Sequence, residues 1–131
     1  MKSDAVSTGA TAVFVTAASE EQAALIAHAL VSERLAACVN IVSPIRSIYR
    51  WNDAVQTDTE HLMIIKTRAN LVPKVEVRVR ELHSYEVPEV IALPIIAGAK
   101  SYLEWVFAST IGRSGAVIKS RRTTSKGPRK K

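Results

Sequence analysis

The N-terminal part of the chain has the pattern of a short buried strand followed by an amphipathic helix. Residues 11–17 form a continuous apolar run rich in β-branched and aromatic side chains, which predicts a buried strand. Ser19 follows this run and Gln22 lies three positions later, a spacing typical of a helix N-terminus. A helix is therefore predicted over 19–35, with its apolar stripe formed by Ala23, Ile26, Ala27 and Leu30.

The following residues have the pattern of a long β-hairpin. Residues 37–52 and 55–68 are both rich in β-branched and apolar side chains, which predicts two strands. Asn52 and Asp53 lie between them and favour a tight turn, because both residue types tolerate unusual backbone angles. Pro44 interrupts the first run and predicts a bulge or bend, because proline has no amide hydrogen to donate within a sheet.

Residues 70–82 fit two structures. Alternation of three valines with charged residues indicates a strand, and valine has a poor helix propensity. The same segment also fits a helix, with Asn70 as its cap, Pro73 in its first turn and an apolar stripe of Leu71, Val75, Val79 and Leu82. We predict a helix, because a β-α-β-β-α-β order closes only if this element crosses over the sheet.

The end of the body is predicted to contain a strand and a last helix. Residues 89–97 are nearly all apolar and predict a strand, which Pro94 places at a sheet edge or a bulge. Residues 101–109 predict a short helix that ends before Gly112. This order predicts an α+β fold, a ferredoxin-like βαββαβ sandwich with a long β-hairpin and a C-terminal helix.

The predicted strand lengths bear on assembly. Strands of about 14 residues span ~45 Å, whereas helices of 13–17 residues cover only ~20–25 Å. Much of the hairpin would then extend past the helices that should cover it. Because a long exposed strand edge tends to pair with another chain, we predict a homo-oligomer built by strand pairing.

Charge divides the 131 residues into a body and a tail. Residues 113–131 hold eight Lys or Arg residues and no acid, so this segment has a charge of +8. The remaining residues have a charge of −2, and together the two parts give the net charge of +6. We expect residues 1–10 and this tail to be disordered and 11–112 to form one domain. The mildly acidic body removes the main argument for a nucleic-acid-binding domain, and only weak nucleic-acid contact through the tail remains an option.

Composition and motifs exclude several further classes. No apolar run approaches the ~20 residues of a membrane span, no N-terminal signal sequence is visible, and Cys38 has no cysteine partner, so a cytoplasmic protein is expected. The sequence holds no glycine-rich phosphate loop and no nucleophile with an adjacent base, so we expect no enzyme. The densest chemistry lies at 82–89, which joins an imidazole, a phenol and two carboxylates: His83, Tyr85, Glu86 and Glu89.

Several residues that could serve a functional site would also suit a purely structural role. His83 would also suit the C-terminal end of a helix, Tyr85 and Trp51 would suit packing, and Cys38 would suit a small buried site. Lys66 is either a solvated strand residue or the cation that balances Glu86 or Glu89.

The motifs of residues 12–108 resemble those of the CutA family, the divalent-cation tolerance proteins. The shared segments are VFVTA, SEEQA, ERLAACVNIVSPIRSIYRW, IIKTR, LHSYEVPEVIALPI and SYLEW. This resemblance implies a homotrimer of ferredoxin-like subunits, similar in architecture to PII signalling proteins. It also implies binding of copper or another divalent cation, no organic cofactor and no established enzymatic activity.

The matched positions give two hypotheses for the site. As a metal-binding and metal-tolerance protein, the chain would use His83 and Cys38 as metal ligands, for Cu(II) or another divalent cation. As a PII-like signalling or scaffold trimer, it would bind a small molecule or a protein partner in a cleft between subunits. That cleft would be lined by Trp51, Lys66, Tyr85, Glu86 and Glu89.

Overall fold

The sheet and its helices follow the predicted order. The computed structural model describes residues 7–112. The elements are β1 (Ala10–Ala17), α1 (Glu20–Ser32), β2 (Cys38–Trp51), β3 (Ala54–Arg68), α2 (Val72–Leu82), β4 (Ile91–Pro94) and α3 (Lys100–Ala108), with a short 3-10 turn (Ala69–Leu71) before α2. The strands form one antiparallel sheet in the order β2-β3-β1-β4. The predicted ferredoxin-like α+β fold is confirmed.

The core lies between this sheet and the helices α1 and α2. Alternate residues of β1 and β3 point into it, among them Val13, Val15, Met63 and Ile65, because side chains of a strand alternate between the two faces. Ile26 and Leu30 of α1 and Val75 and Val79 of α2 close it from the other side. All eight are fully buried.

The segment that fitted two structures is a helix. Val75 and Val79 lie one turn apart and face the core, whereas Val77 is 58% exposed. Pro73 lies in the first turn, where its missing amide hydrogen costs no helical hydrogen bond. Packing of this apolar stripe against the sheet outweighs the poor helix propensity of valine.

The β2–β3 hairpin is long and regular apart from one bulge. Its register shifts between Val42 and Ile45, and the Ser43–Pro44 peptide bond between them is cis, so the bulge predicted at Pro44 is confirmed. The hairpin turns through Asn52 and Asp53, which both have positive φ, of 53° and 61°. Two such residues between paired strands form the tight turn whose twist matches that of the strands.

The two ends of the described chain differ from expectation. The predicted strand at 89–97 is paired only over Ile91–Pro94, at the edge of the sheet, as Pro94 requires. At the N-terminus, Thr8 hydrogen-bonds to the carbonyl of Ile95 through both its amide and its hydroxyl, and β1 begins at Ala10. Residues 8–10, which belong to the segment expected to be disordered, thus lie against the end of the sheet. Residues 1–6 and the predicted tail at 113–131 lie outside the described residues.

Helix α3 lies against β1 and β3. Arg68, the last residue of β3, donates from Nε to the hydroxyl of Thr110 (2.9 Å) and from Nη2 to the carbonyl of Phe107 (2.5 Å). Its guanidinium also lies 5.1 Å from the centre of the Phe107 ring. The amide of Ile111 donates to the carbonyl of Arg34, just after α1, so the described chain ends beside the C-terminal end of α1.

Candidate functional site

A cleft of about 810 Å³ opens between the outer half of the β2–β3 hairpin and the loop that joins α2 to β4. The hairpin contributes one wall and the loop the other, so residues far apart in sequence line the same cleft. Within the hairpin wall, the antiparallel register places residues of β2 beside residues of β3. Its lining residues are Thr16, Ser47, Ile48, Tyr49, Trp51, Glu60, Ser84, Tyr85, Glu86, Val87 and Glu89. Three of them are glutamates, and none is Lys, Arg or His.

Glu60 is the most deeply placed acid of the cleft. It exposes only 9% of its surface, and one carboxylate oxygen accepts a hydrogen bond of 2.7 Å from the hydroxyl of Tyr85. The second oxygen has no hydrogen-bond partner among residues 7–112. Burial, and then the hydrogen bond to Glu60, raise the pKa of Tyr85, so this phenol stays a donor at neutral pH. A nearly buried negative charge thus has one neutral partner.

The pKa of Glu89 is raised within the cleft. Burial, and then the negative charge of Glu60, raise the pKa of Glu89. This shift has the direction expected when two carboxylates share one cleft without a cation between them. Glu86 is exposed on the same loop and adds a third carboxylate.

Aromatic side chains form much of the rest of the lining. Tyr49 donates a hydrogen bond to the carboxylate of Asp58, across the β2–β3 ladder, and this bond raises the pKa of Tyr49. Trp51 is 48% exposed at the outer end of the same strand. Tyr49 and Trp51 lie two positions apart in β2 and therefore share one face of the hairpin.

His83 is a structural residue of this subunit. Its side chain exposes 9% of its surface and packs at 4.6 Å from the ring of Tyr85. Nδ1 accepts the amide hydrogen of Tyr85 (3.0 Å), which places the ring proton on Nε2, and Nε2 donates it to the carbonyl of Thr16 (2.7 Å). Both ring nitrogens are thus engaged by the backbone, and the expectation of His83 as a metal ligand is not supported by this geometry.

Cys38 and Lys66 lie elsewhere on the sheet. They face each other across the β2–β3 ladder, and both contact the side-chain oxygen of Asn40. On its other side Lys66 pairs with Ala12 of β1. Thr16, whose carbonyl accepts the hydrogen bond from His83, lies four residues further along β1, so Ala12 and Thr16 are about 13 Å apart. Cys38 therefore cannot share a metal with His83 in one subunit, and Lys66 is not among the residues that line the cleft of one subunit.

The remaining predicted cleft residues do come together. Trp51, Tyr85, Glu86 and Glu89 line one cavity of the single subunit. Glu60 was missed, because it lies in the middle of a predicted strand and nothing local marks it as different from its solvated neighbours. Only the pairing of β3 with its neighbours and the return of the 84–89 loop bring it under Tyr85.

Two further findings concern the described part of the chain. Among residues 7–112, no three His, Cys, Asp or Glu side chains are grouped closely enough to hold a metal ion in one subunit. No helix within that range is long and apolar enough to span a membrane.

Comparison with known sequences gives consistent matches to one family. A family model described as CutA1 divalent ion tolerance protein matches residues 11–109. The divalent-cation tolerance protein CutA of Thermus thermophilus is 52% identical over 98 residues, 75% of this chain and 95% of that protein. The chloroplastic CutA of Arabidopsis thaliana is 50% identical, and the match spans about half of its length (54%) and 75% of this chain.

Solved structures agree with the sequence matches. The Thermus thermophilus CutA1 structure has a TM-score of 0.76 at 50% identity and covers 77% of this chain and 98% of its own. The CutA1 structure from Oryza sativa has a TM-score of 0.77 at 47% identity and covers 81% of this chain and 97% of its own. The Archaeoglobus fulgidus structure, titled a periplasmic divalent cation tolerance protein, has a TM-score of 0.75 at 39% identity, with 76% of this chain and 97% of its own covered.

These matches correct one expectation and confirm another. The cytoplasmic location expected from the missing signal sequence and membrane span is not upheld, because one relative is named chloroplastic and another periplasmic. The motif resemblance drawn over 12–108 is confirmed by the family match, which favours the divalent-cation hypothesis over the signalling alternative. The chain belongs to the family of CutA1 divalent ion tolerance proteins.

Proposed function

We propose that this protein acts in tolerance of divalent cations as a homotrimer that binds the cation at the carboxylates of its cleft. The observation that carries the proposal is Glu60, whose nearly buried carboxylate has only a phenol as its partner among the described residues. A carboxylate that is largely shielded from solvent and hydrogen-bonded only to a neutral phenol attracts a cation that enters the cleft. Glu86 and Glu89 line the same cavity and add to the attraction.

The donor set favours oxygen-binding cations. Carboxylate and phenol oxygens suit Mg²⁺, Ca²⁺ and Mn²⁺, whereas thiolate and imidazole would favour copper and zinc. Cu²⁺ still binds a given oxygen site more tightly than Mn²⁺, in the general order of divalent metals. In this proposal Glu60 and Glu89, rather than His83 and Cys38, attract copper to the cleft. They do not enclose it by themselves, because the described residues of one subunit group no three His, Cys, Asp or Glu side chains closely enough to hold a metal ion.

The role proposed for the cleft is binding. Family relatives are named for tolerance of divalent cations, and the lining offers carboxylate and phenol oxygens that attract a cation. No step of bond making or bond breaking is proposed.

Calorimetric titration of the full chain tests this site. Mn²⁺ and Cu²⁺ are titrated separately into wild type, Glu60→Gln and Glu89→Gln, with Glu76→Gln as the control. Glu76 is an acid of α2 that pairs with Arg80 outside the cleft. We expect each cleft variant to weaken binding about tenfold and the control to leave it unchanged, with Cu²⁺ tighter than Mn²⁺ in wild type. Equal affinity in all four proteins contradicts the proposed site.

The trimer is proposed from the shape of the hairpin and its exposed apolar side chains. Strands β2 and β3 have 14 and 15 residues and span about 45–50 Å, whereas α1 and α2 have 13 and 11 residues and cover about 20 Å or less. Strand β2 lies at the sheet edge, and several large apolar side chains of the sheet are exposed in one subunit: Ile41, Val42, Ile48, Ile91 and Leu93. Such an edge and such a surface are stabilised by further copies of the chain.

Sedimentation of the full chain at micromolar concentration measures the assembly directly. The proposal expects one species of three chains. A stable folded species of 14.3 kDa, the mass of one chain, contradicts it.

A further inference from the structure

The cleft loop, residues 84–89, is held to the folded chain by side chains rather than by backbone pairing. Within the described range 7–112, its backbone makes no hydrogen bond to another backbone group. The amide of Ser84 donates to Oε1 of Gln22 (2.8 Å). The amide of Tyr85 donates to Nδ1 of His83 (3.0 Å). Two side chains therefore fill the places that backbone partners usually take at the start of such a loop.

Gln22 contacts the peptide groups on both sides of His83. Its Nε2 donates to the carbonyl of Leu82 (3.3 Å), and its Oε1 accepts the amide hydrogen of Ser84. Leu82 is the last residue of α2, so its carbonyl has no partner within that helix. One side chain from the first turn of α1 thus caps α2 and holds the start of the cleft loop.

This use of Gln22 departs from the pattern of its own helix. Ser19 caps α1, since its Oγ accepts the amide hydrogen of Gln22 (3.1 Å). In the usual capping box, a glutamine at this third helical position reaches back to the amide of the capping residue. Here the polar atoms of that side chain bond instead to residues 60 and 62 positions away. A position that replaces a local contact by a distant one is typical of a residue that supports a site.

The contacts of Gln22 continue to the base of the cleft through neighbouring residues. His83 accepts the amide hydrogen of Tyr85, and the two rings pack 4.6 Å apart. The hydroxyl of Tyr85 in turn donates to Glu60 over 2.7 Å. A shift of the loop by about 1 Å removes this last bond, because atoms more than about 3.5 Å apart no longer form a hydrogen bond. The meeting of phenol and carboxylate thus depends on how firmly the start of the loop is held.

From these contacts we infer that Gln22 is the positioning residue of the cleft. By holding the peptide groups on both sides of His83, it sets where Tyr85 meets Glu60 and thereby how tightly the cleft binds a cation. Gln22 acts through the loop, since it is not among the residues that line the cleft. The inference rests on the proposed function for the effect on the cation and stands apart from it for the effect on the loop.

Hydrogen exchange of the backbone amides, measured by NMR on the full chain at one fixed concentration, tests the effect on the loop. Gln22→Met keeps the length of the side chain and removes both of its hydrogen bonds. We expect the amides of Ser84 and Tyr85 to exchange about tenfold faster in this variant, because the loop opens locally. Gln22→Glu keeps the acceptor for the Ser84 amide, whose exchange should stay within about threefold of wild type.

Thr67→Val is the control for a loss of stability alone. Thr67 is fully buried, and its hydroxyl donates to the carbonyl of Leu35 (2.7 Å), so valine removes a buried hydrogen bond that does not involve the loop. The amides of Ser84 and Tyr85 should exchange at the wild-type rate in this control. Equal exchange in wild type and Gln22→Met, or equal acceleration in Gln22→Met and the control, overturns the inference.

Calorimetric titration with Mn²⁺ on the same proteins separates this inference from the proposed function. Mn²⁺ should bind Gln22→Met about tenfold more weakly than wild type and bind Thr67→Val as tightly as wild type. Faster loop exchange in Gln22→Met, in a protein whose wild type binds no Mn²⁺, supports the positioning of the loop and contradicts the proposed function. Mn²⁺ binding of equal strength in wild type and Gln22→Met overturns the inference and leaves the proposed function standing.

Discussion

Replacing His83 by alanine distinguishes a structural histidine from a metal ligand. The structure gives this ring two hydrogen bonds to the backbone, from Nε2 to the carbonyl of Thr16 and from the amide of Tyr85 to Nδ1. Alanine removes both bonds and the ring contact with Tyr85. The carbonyl of Thr16, a residue only 7% exposed, then loses its side-chain partner inside the protein.

The expected cost follows from these contacts. A buried polar group left without its partner costs about 1–3 kcal/mol, and a contact between two rings contributes about 0.5–1.5 kcal/mol. Water entering the vacated space recovers part of the loss, so we expect His83→Ala to lower the free energy of unfolding by about 2–4 kcal/mol. For a domain of this size, that corresponds to a fall in Tm of roughly 10–20 °C.

Denaturant unfolding and copper titration are measured together on the same proteins. Both use the full chain at one fixed concentration, because the stability of an oligomer depends on it. Ser84→Ala is the matched control, since Ser84 is the exposed neighbour of His83 and should change stability by less than about 0.5 kcal/mol. Under conditions in which His83→Ala remains folded, we expect its Cu²⁺ affinity to stay within about twofold of wild type.

The opposite result would refute the reasoning. An alanine variant as stable as wild type, with copper affinity reduced tenfold or more, would mean that the imidazole faces the metal rather than the backbone. His83 would then be the ligand that the sequence predicted.

Two further changes test the electrostatics of the cleft and the hairpin turn. Because the pKa of Glu89 is raised in the folded protein, its ionisation costs stability as the pH rises above the ordinary glutamate range, and this cost is absent at acid pH, where Glu89 is protonated in both states. Glu89→Gln should therefore stabilise the protein at pH 7 by roughly 0.5 kcal/mol after solvent screening and leave its stability unchanged below about pH 4. Denaturant unfolding at the two pH values measures this, and a larger gain at pH 4 than at pH 7 would contradict it. Asp53 has a φ of 61°, a backbone angle that glycine adopts easily and valine does not. Asp53→Gly should therefore stabilise the hairpin by about 0.5 kcal/mol, and Asp53→Val should destabilise it by about 1–2 kcal/mol. Thermal unfolding measures both variants, and equal effects of the two substitutions would contradict the prediction.

Local pattern was sufficient for most of the elements. The first helix, the two long strands and the turn at 51–54 were predictable, because each depends on spacing and turn residues within a short stretch. Pro44 marked the bulge of β2 and Pro94 marked the edge strand for the same local reason, the missing amide hydrogen. The segment 70–82 was predictable only by asking how the whole sheet closes, since its own residues fitted both structures and its valines locally favoured a strand.

The site depended on contacts that no local pattern contains. Trp51, Tyr85, Glu86 and Glu89 were predicted from their motifs, and the structure brings them into one cleft. Glu60 joins them only because β3 pairs with its neighbours in one particular register, which a sequence pattern does not specify.

Tertiary structure also decided which polar residues are available to a ligand. In sequence, His83 lies beside three candidate ligands. In the fold, however, its Nε2 donates a hydrogen bond to the backbone carbonyl of Thr16 at the end of β1. Lys66 and Cys38 are separated from the cleft by the register of β2 and β3. The sequence alone determined which functional groups this protein has, whereas the fold determined which of them share a cavity, because long-range strand pairing and burial set the partners of each group.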